Sequence, residues 1–282
     1  MTYCVAMQLD AGLVFLSDAR TNAGVDHINT FRKMTVIERT GERVLVLMTA
    51  GNLSVSQSVV NILRERIDAD GGEHLCNLPN LFEAARHIGA VVREVYQRDA
   101  AALKAFGIEF NSSIIFGGQI AGEAPRLFNI YAAGNFIEAS EDTPYFQIGE
   151  SKYGKPIIDR VVTRRTSFEE AAKCALISMD STIRSNLSVG MPLDLLIYAS
   201  GALQVRQHIS IGPQNAYFNT IRTLWGERLR QAFTDLPDPD WANFGAAINP
   251  DGNHRHTHRN GVNPLPILLV RPANGVVPGR VD

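Results

Sequence analysis

The sequence has little of what would tie it to nucleic acid, membranes or disulfide chemistry. Among 282 residues there are three cysteines, Cys4, Cys76 and Cys174, with no CxxC pair. An odd, scattered set makes neither a disulfide framework nor a structural zinc site, and suits a reducing cytoplasm. Excess positive charge is missing too: the formal net charge is -2, which offers no basic face for nucleic acid and no cationic surface for membranes. No apolar run approaches the roughly 20 residues that span a bilayer. The opening MTYCVAMQLD has neither the charged n-region nor the long apolar h-region of a secretory signal, so a genuine, unsecreted start is expected. Gly117-Gly118 followed by Gly122 lacks the strand-turn-helix setting and Lys-Ser/Thr ending of a phosphate loop, so no nucleotide cofactor is expected.

What is present is an ordinary globular composition, 45% hydrophobic and 20% charged. That suffices for one large domain with a substantial core, or for a domain plus an extension. The first fifty residues read as β structure. Thr2 to Leu9 is a strand, Asp10-Ala11-Gly12 a turn, and Leu13 to Leu16 a second strand ending at Ser17-Asp18. Ala19 to Thr30 reads as polar loop. A hairpin follows, Met34 to Glu38 and Arg43 to Thr49 around Arg39-Thr40-Gly41-Glu42. Apolar residues at helical spacing then mark Ser54 to Ala69 and Asn80 to Lys104, with Asn80 as N-cap.

The pattern reverts to strands at Ser112 to Gln119, Arg126 to Ala132 and Tyr145 to Ile148. Helices are expected over Ser151 to Asp159 and Ser167 to Ser185, the latter opened by the capping-box pattern Ser167-Phe168-Glu169-Glu170. Leu193 to Ala199 and Leu203 to Ile209 form a last hairpin. Strands, two helices, strands, two helices, strands is the order of an α+β fold with two stacked sheets covered by helices on both outer faces, not of a doubly wound parallel sheet. Residues 1–211 are read as this domain and 212–282 as a C-terminal helix and extended tail. The tail is rich in Pro, Gly and Asn, ends in the apolar run Pro264 to Val270, and is expected to wrap the core or a neighbouring subunit.

Three residues near the chain start combine into a candidate catalytic centre. Thr2 follows Met1 directly, and a small second residue permits removal of Met. The freed α-amine has a reference pKa of about 8, so one residue would carry both a hydroxyl nucleophile and a general base. The first hairpin returns the end of its second strand, with Asp18, beside Thr2. Lys33 heads the next strand, where its ammonium would lower the hydroxyl pKa and pair with Asp18. Taken singly, Thr2 is a plain N-terminus, Asp18 a turn former and Lys33 a solvated charge. Their joint placement carries the reading.

The stretch MTYCVAMQLDAGLVFLSDARTNAGVDHINTFRKM resembles the opening of proteasome β-type subunits, and within them the bacterial branch called Anbu, an ancestral β subunit. The resemblance reaches from Thr2 to about residue 210, outside the tail. It implies a four-layer αββα sandwich of the N-terminal nucleophile hydrolase type. It implies that Thr2 attacks a peptide carbonyl, with Asp18 at the family's separation from the threonine. Lys33 stands one residue nearer than the family's lysine and takes that role, which Met34 could not fill. Thr49-Ala50-Gly51-Asn52 resembles the family's strand-to-helix turn, so Gly51 is the implied backbone oxyanion donor. The family's supporting Ser, Asp and Ser map less directly. Gly149-Glu150-Ser151 makes Ser151 the first candidate, with a helix N-cap as its compatible alternative. Asp180 with Ser181, Ser185 or Ser188 would supply the others, although the compact Asp-x-x-Ser-Gly pattern is absent there and an exposed helix charge is the competing reading for Asp180.

His254-Arg255-His256-Thr257-His258 could place imidazoles on one side of an extended strand. It lies in a Gly/Asn/Pro-rich stretch without a carboxylate cluster, so a solvated or subunit-contact loop is expected and no metal. Arg164-Arg165 reads as a surface pair. Cys4 projects to the same side as Thr2 but has no histidine placed to activate it. The expected function is hydrolysis of peptide amide bonds by a processed N-terminal threonine. Two alternatives use the same residues: an amidase of small molecules, since fold and nucleophile do not set the substrate, and a catalytically idle assembly protein. The resemblance further implies self-association into a large homo-oligomer, as an open or helical ring, with peptide or unfolded protein as substrate. The absence of a nucleotide site leaves any unfolding to a separate ATPase.

Overall fold

The computed structural model describes residues 1–23, 27–69 and 71–240. The chain start forms β1 (Tyr3–Leu9), which turns at Asp10-Ala11 into β2 (Gly12–Asp18). β1 is apolar almost throughout because both of its faces are buried. Tyr3, Val5, Met7 and Leu9 face one core, while Cys4 and Ala6 between them face another. This is the period-two alternation of a strand used on both sides.

Ala19 to Thr30, expected as loop, contains a short polar hairpin, β3 (Arg20–Ala23) and β4 (His27–Thr30). Their sequences, Arg-Thr-Asn-Ala and His-Ile-Asn-Thr, carry no hydrophobic alternation that would announce strands. β5 (Met34–Arg39) and β6 (Arg43–Gly51) form the expected second hairpin. Two helices follow, α1 (Leu53–Asp68) and α2 (Leu81–Ala105). Asn52 caps the first by accepting from the Ser54 N–H at 3.0 Å, and Asn80 caps the second by accepting from Glu83 at 2.8 Å.

β7 (Ser112–Ile120), β8 (Arg126–Ile130), β9 (Phe136–Glu138) and β10 (Tyr145–Gly149) come next. β9 is too short to show a pattern in the sequence. The helix expected over Ser151 to Asp159 is broken at Gly154 into a 3-10 turn (Ser151–Tyr153) and α3 (Lys155–Val161). A Cβ at Gly154 would meet Ser178 Oγ at 1.9 Å, so the chain passes closer than a continuous helix of larger residues would permit. α4 (Phe168–Ser185) opens with the full Ser167/Glu170 capping box. The final strand pair is β11 (Leu193–Ala199) and β12 (Gln207–Ile211), its second strand four residues later at the start than the sequence suggests. The Tyr198 hydroxyl accepts from the Leu203 N–H at 3.1 Å and donates to Gln119 Oε1, which also takes the Gly201 N–H at 2.7 Å. These bonds hold residues 200–206 as a wide turn and keep Leu203 out of the strand.

All pairing is antiparallel. One sheet has the order β10-β1-β2-β11-β12 and the other β5-β6-β7-β8-β9. α3 and α4 pack on the first, α1 and α2 on the second, and a third core lies between the sheets around Phe15, Met48, Ile115 and Leu196. The architecture is the expected α+β sandwich of helices, two sheets and helices. α5 (Ala216–Thr234), which the sequence division assigns to the C-terminal segment, lies within the compact unit Met1–Asp235, with Phe218 and Ile221 buried in the α4-side core. The His254, His256 and His258 segment, the Pro264 to Val270 run and the expected wrapping tail lie outside the described residues.

Candidate active site

β1 sits in the interior of its sheet, flanked by β10 and β2, so its first residues are held from two sides. Tyr3 lies opposite Gly149 and Cys4 opposite Ser17. The Thr2 carbonyl accepts the Glu150 N–H at 2.8 Å. Gly149 runs against that carbonyl at positive φ (79°), and a Cβ there would come within 1.9 Å of it. Only glycine fits such an approach. Thr2 is 8% exposed and lines a cavity together with Met1.

Asp18, at the end of β2, is fully buried. Its Oδ1 accepts the Tyr3 N–H at 3.0 Å and stands 2.9 Å from Lys33 Nζ, while its Oδ2 takes a long hydrogen bond, 3.4 Å, from the Gly190 N–H. Lys33 Nζ also donates to the Asp18 carbonyl at 3.3 Å and to the Arg20 carbonyl at 2.6 Å. The unpredicted β3 strand thus supplies a ligand for the Lys33 ammonium. Burial pushes the Asp18 carboxyl above the ordinary carboxylate range, against the opposing pull of Lys33 and of the Tyr3 and Gly190 N–H groups.

Thr2, Lys33 and Gly51 line one cavity of about 140 Å³, with Met1, Arg20, Thr49, Ala50, Leu53 and Ser56. Gly51 ends β6 at φ 109°, and a Cβ there would meet the Asn111 carbonyl oxygen at 2.4 Å. Four of the six expected residues therefore converge: Thr2, Asp18, Lys33 and Gly51. Ser151 is adjacent, one residue beyond the Glu150 N–H that holds Thr2. It is the first residue of the 3-10 turn and not its cap, which falls to Glu150 without a side-chain bond. The carbonyl of Ser151 accepts from Gln147 at 3.5 Å.

Asp180 departs from expectation in both of its readings. It is neither exposed nor joined to this centre by any described contact. It is buried on α4 and clamps α4 to α5, accepting from Arg184 Nε at 2.8 Å and Arg222 Nε at 2.7 Å. Of its proposed companions Ser181, Ser185 and Ser188, the Ser181 hydroxyl is engaged within α4, donating to the Ile177 carbonyl.

Sequence reasoning missed three contributors. Gly190 caps Asp18 through its N–H, and a Cβ there would meet the Arg20 guanidinium at 2.3 Å. Arg20 lines the cavity and donates to the Leu187 carbonyl at 3.1 Å, tying β3 to the segment before Gly190. The Tyr3 hydroxyl is buried between Ser178 and Gln147, at 2.5 Å from each, which anchors the residue after Thr2 to α4 and β10. The Ser-Val-Gly run at 188–190 was the available signal for Gly190, while nothing local marks Tyr3 as more than core. Cys4 is fully buried with its thiol toward the Thr49 carbonyl, and burial together with the Asp18 charge pushes its pKa well up, which removes it as a nucleophile. Among the described residues no group of His, Cys, Asp or Glu could hold a metal ion.

Two antiparallel sheets stacked under helices, with a threonine opening an interior strand above a buried Asp–Lys pair, define the N-terminal nucleophile hydrolase fold. The family model described as proteasome subunit matches residues 2–197, and the chain belongs to that family. Within it the chain is similar to Anbu, the ancestral β subunit. Against the solved Anbu from Yersinia bercovieri it is 53% identical, over 84% of this chain and 98% of that one, with a TM-score of 0.79. Against the helical assembly of the Anbu complex from Pseudomonas aeruginosa the values are 52%, 86%, 99% and 0.81. Against Anbu from Hyphomicrobium sp. strain MC1 they are 48%, 85%, 100% and 0.78. Among curated proteins none matches.

Proposed function

We propose that the chain is a threonine-type hydrolase of peptide amide bonds whose nucleophile is Thr2 after loss of Met1. The observation that carries this reading is the buried Lys33–Asp18 pair, 2.9 Å apart, whose lysine lines the same cavity as Thr2. Removal of Met1 frees an α-amine that accepts the hydroxyl proton, through a water where the geometry requires one. Thr2 Oγ attacks the carbonyl carbon, and the oxyanion forms at the backbone N–H of Gly51. The tetrahedral intermediate collapses to an ester, and the leaving amine departs with the proton. Water then hydrolyses the ester and regenerates Thr2.

Lys33 holds positive charge beside Oγ, and Asp18 fixes Lys33 while binding the Tyr3 N–H. Ser151 is proposed to support the amine from the adjacent turn. Asp180 is left outside the chemistry and is proposed to hold α5 on α4. The setting is a reducing cytoplasm, the substrate a peptide or unfolded protein, and any unfolding a separate ATPase's task. Self-association is proposed on the likeness to the helical Anbu assembly and on exposed apolar residues such as Phe106 and Phe233.

The test is the intact mass of protein from its own host, followed by a threonine-reactive β-lactone or epoxyketone probe. Loss of Met1 and an adduct on Thr2 that is absent in Thr2→Ala support the reading. Retained Met1, or a processed chain without adduct, overturns it in favour of an assembly protein with an idle centre.

A further inference from the structure

Beside the Thr2 cavity lies a second, larger one of about 290 Å³, and the two share Lys33, Thr49 and Ser56 in their walls. One side of it is the start of β5. The other is a face of α1, where Ser56, Gln57, Val60, Asn61 and Arg64 follow one another at helical spacing. A substrate amide held at Thr2 would direct a neighbouring side chain into this space, so its lining bears on which peptides are cut.

The lining holds three cations, Arg32, Lys33 and Arg64, and no carboxylate. Two of the three are already answered. Lys33 is bound to Asp18 at 2.9 Å, and Arg32 reaches buried Asp194 at 3.4 Å. Arg64 is exposed and has neither an ion pair nor a hydrogen bond among the described residues. The side-chain amides of Gln57 and Asn61 and the hydroxyl of Thr35 add donors around it, and Val60 and Met34 supply apolar contact for a short methylene stem. A guanidinium with free donors recognises a carboxylate through paired N–H bonds. A hydrophobic side chain here would leave those polar groups facing it, and a cationic one would be repelled.

We propose that this cavity selects an acidic side chain, next to the amide that Thr2 attacks, with Arg64 as the residue that sets the preference. The location rests on the reading of Thr2 as nucleophile, but the selection does not require that the centre turn over. Because Arg64 is solvent-exposed, screening limits the discrimination to about five- to tenfold over a neutral apolar side chain.

The test is equilibrium binding to full-length, Met1-free Thr2→Ala protein, read by titration calorimetry. The probes are acetylated pentapeptide amides Ala-Ala-X-Ala-Ala, with X as Glu, Gln, Leu or Lys. Glu is expected tightest, Gln between, Leu about five- to tenfold weaker than Glu, and Lys weakest, with the Glu advantage shrinking as salt rises. Arg64→Glu should keep the melting temperature and reverse the order of Glu and Lys. Leu binding as tightly as Glu, an order unchanged by Arg64→Glu, or no binding by any peptide would overturn the proposal. Adduct formation at Thr2 by the β-lactone probe is read separately, so a failed pocket and a failed nucleophile give different results.

Discussion

Lys33 Nζ and Asp18 Oδ1 face each other at 2.9 Å with almost no access to water, and the same carboxylate oxygen holds the Tyr3 N–H one residue from Thr2. The pair therefore fixes the backbone next to Thr2 and, on the proposed mechanism, also sets the charge at its hydroxyl. Truncating one member of a buried pair strands the other charge. Lys33→Ala is expected to destabilise the chain by about 3–5 kcal/mol and to abolish probe adduct, as measured by urea unfolding and intact mass. A variant that unfolds like wild type would mean that the pair is solvated in solution.

Substitution of the proposed nucleophile separates chemistry from structure. Thr2→Ser keeps hydroxyl and amine, and should still form adduct at a reduced rate. Thr2→Ala should form none while retaining its unfolding midpoint, because the fold uses the carbonyl of residue 2 and not its hydroxyl. Adduct on Thr2→Ala would place the reactive group elsewhere.

The raised pKa of Asp18 has a defined sign. Folding strengthens proton binding at this carboxyl relative to the unfolded reference of about 3.9. Stability from the group is full below that value and is lost as pH rises through the raised folded value. The unfolding free energy of wild type minus that of Asp18→Asn should therefore fall across the window just above the ordinary carboxylate range and then level off. A difference that grows with pH would mean that Lys33 outweighs burial and the folded pKa is depressed.

Asp180 is expected to matter for stability and not for chemistry. Asp180→Ala removes the acceptor for both Arg184 and Arg222, each partly exposed and able to regain water. A loss of about 1–3 kcal/mol is expected, with hydrogen exchange accelerated first along α5 and adduct formation retained. Loss of adduct at full stability would restore Asp180 to the catalytic group.

Gly51→Ala places a methyl against the Asn111 carbonyl at a positive φ. Strain of about 1–3 kcal/mol is expected, together with a drop in adduct rate larger than the change in stability explains, since the turn presents the oxyanion donor. An unchanged rate would remove Gly51 from that role.

The first hairpin, the caps at Asn80 and Ser167 and the placement of Asp18 and Lys33 near Thr2 were legible from local causes: alternation, capping patterns before helical spacing, and a two-strand return. Gly51 came from the resemblance to proteasome subunits. What stayed hidden depends on contacts far apart in the chain. β3 and β4 have polar sequences without strand alternation, so Arg20 and its carbonyl ligand to Lys33 were not visible. Gly190 meets Asp18 only because β11 docks on β2. Asp180 sits on a helix that looks amphipathic in sequence, and its burial comes from α5, a helix the sequence division set apart.

β1 pairs on one side with a strand at residues 145–149, and its partner β2 pairs with one at residues 193–199. Thr2, the proposed nucleophile, lies toward the N-terminal end, yet the neighbours that seat it are made late. During synthesis, which proceeds from the same end, Thr2 emerges long before Gly149, Glu150 and Gly190 exist to hold it or its carboxylate partner. The proposed centre is in this way completed only after Gly190 has followed Thr2 out of the ribosome.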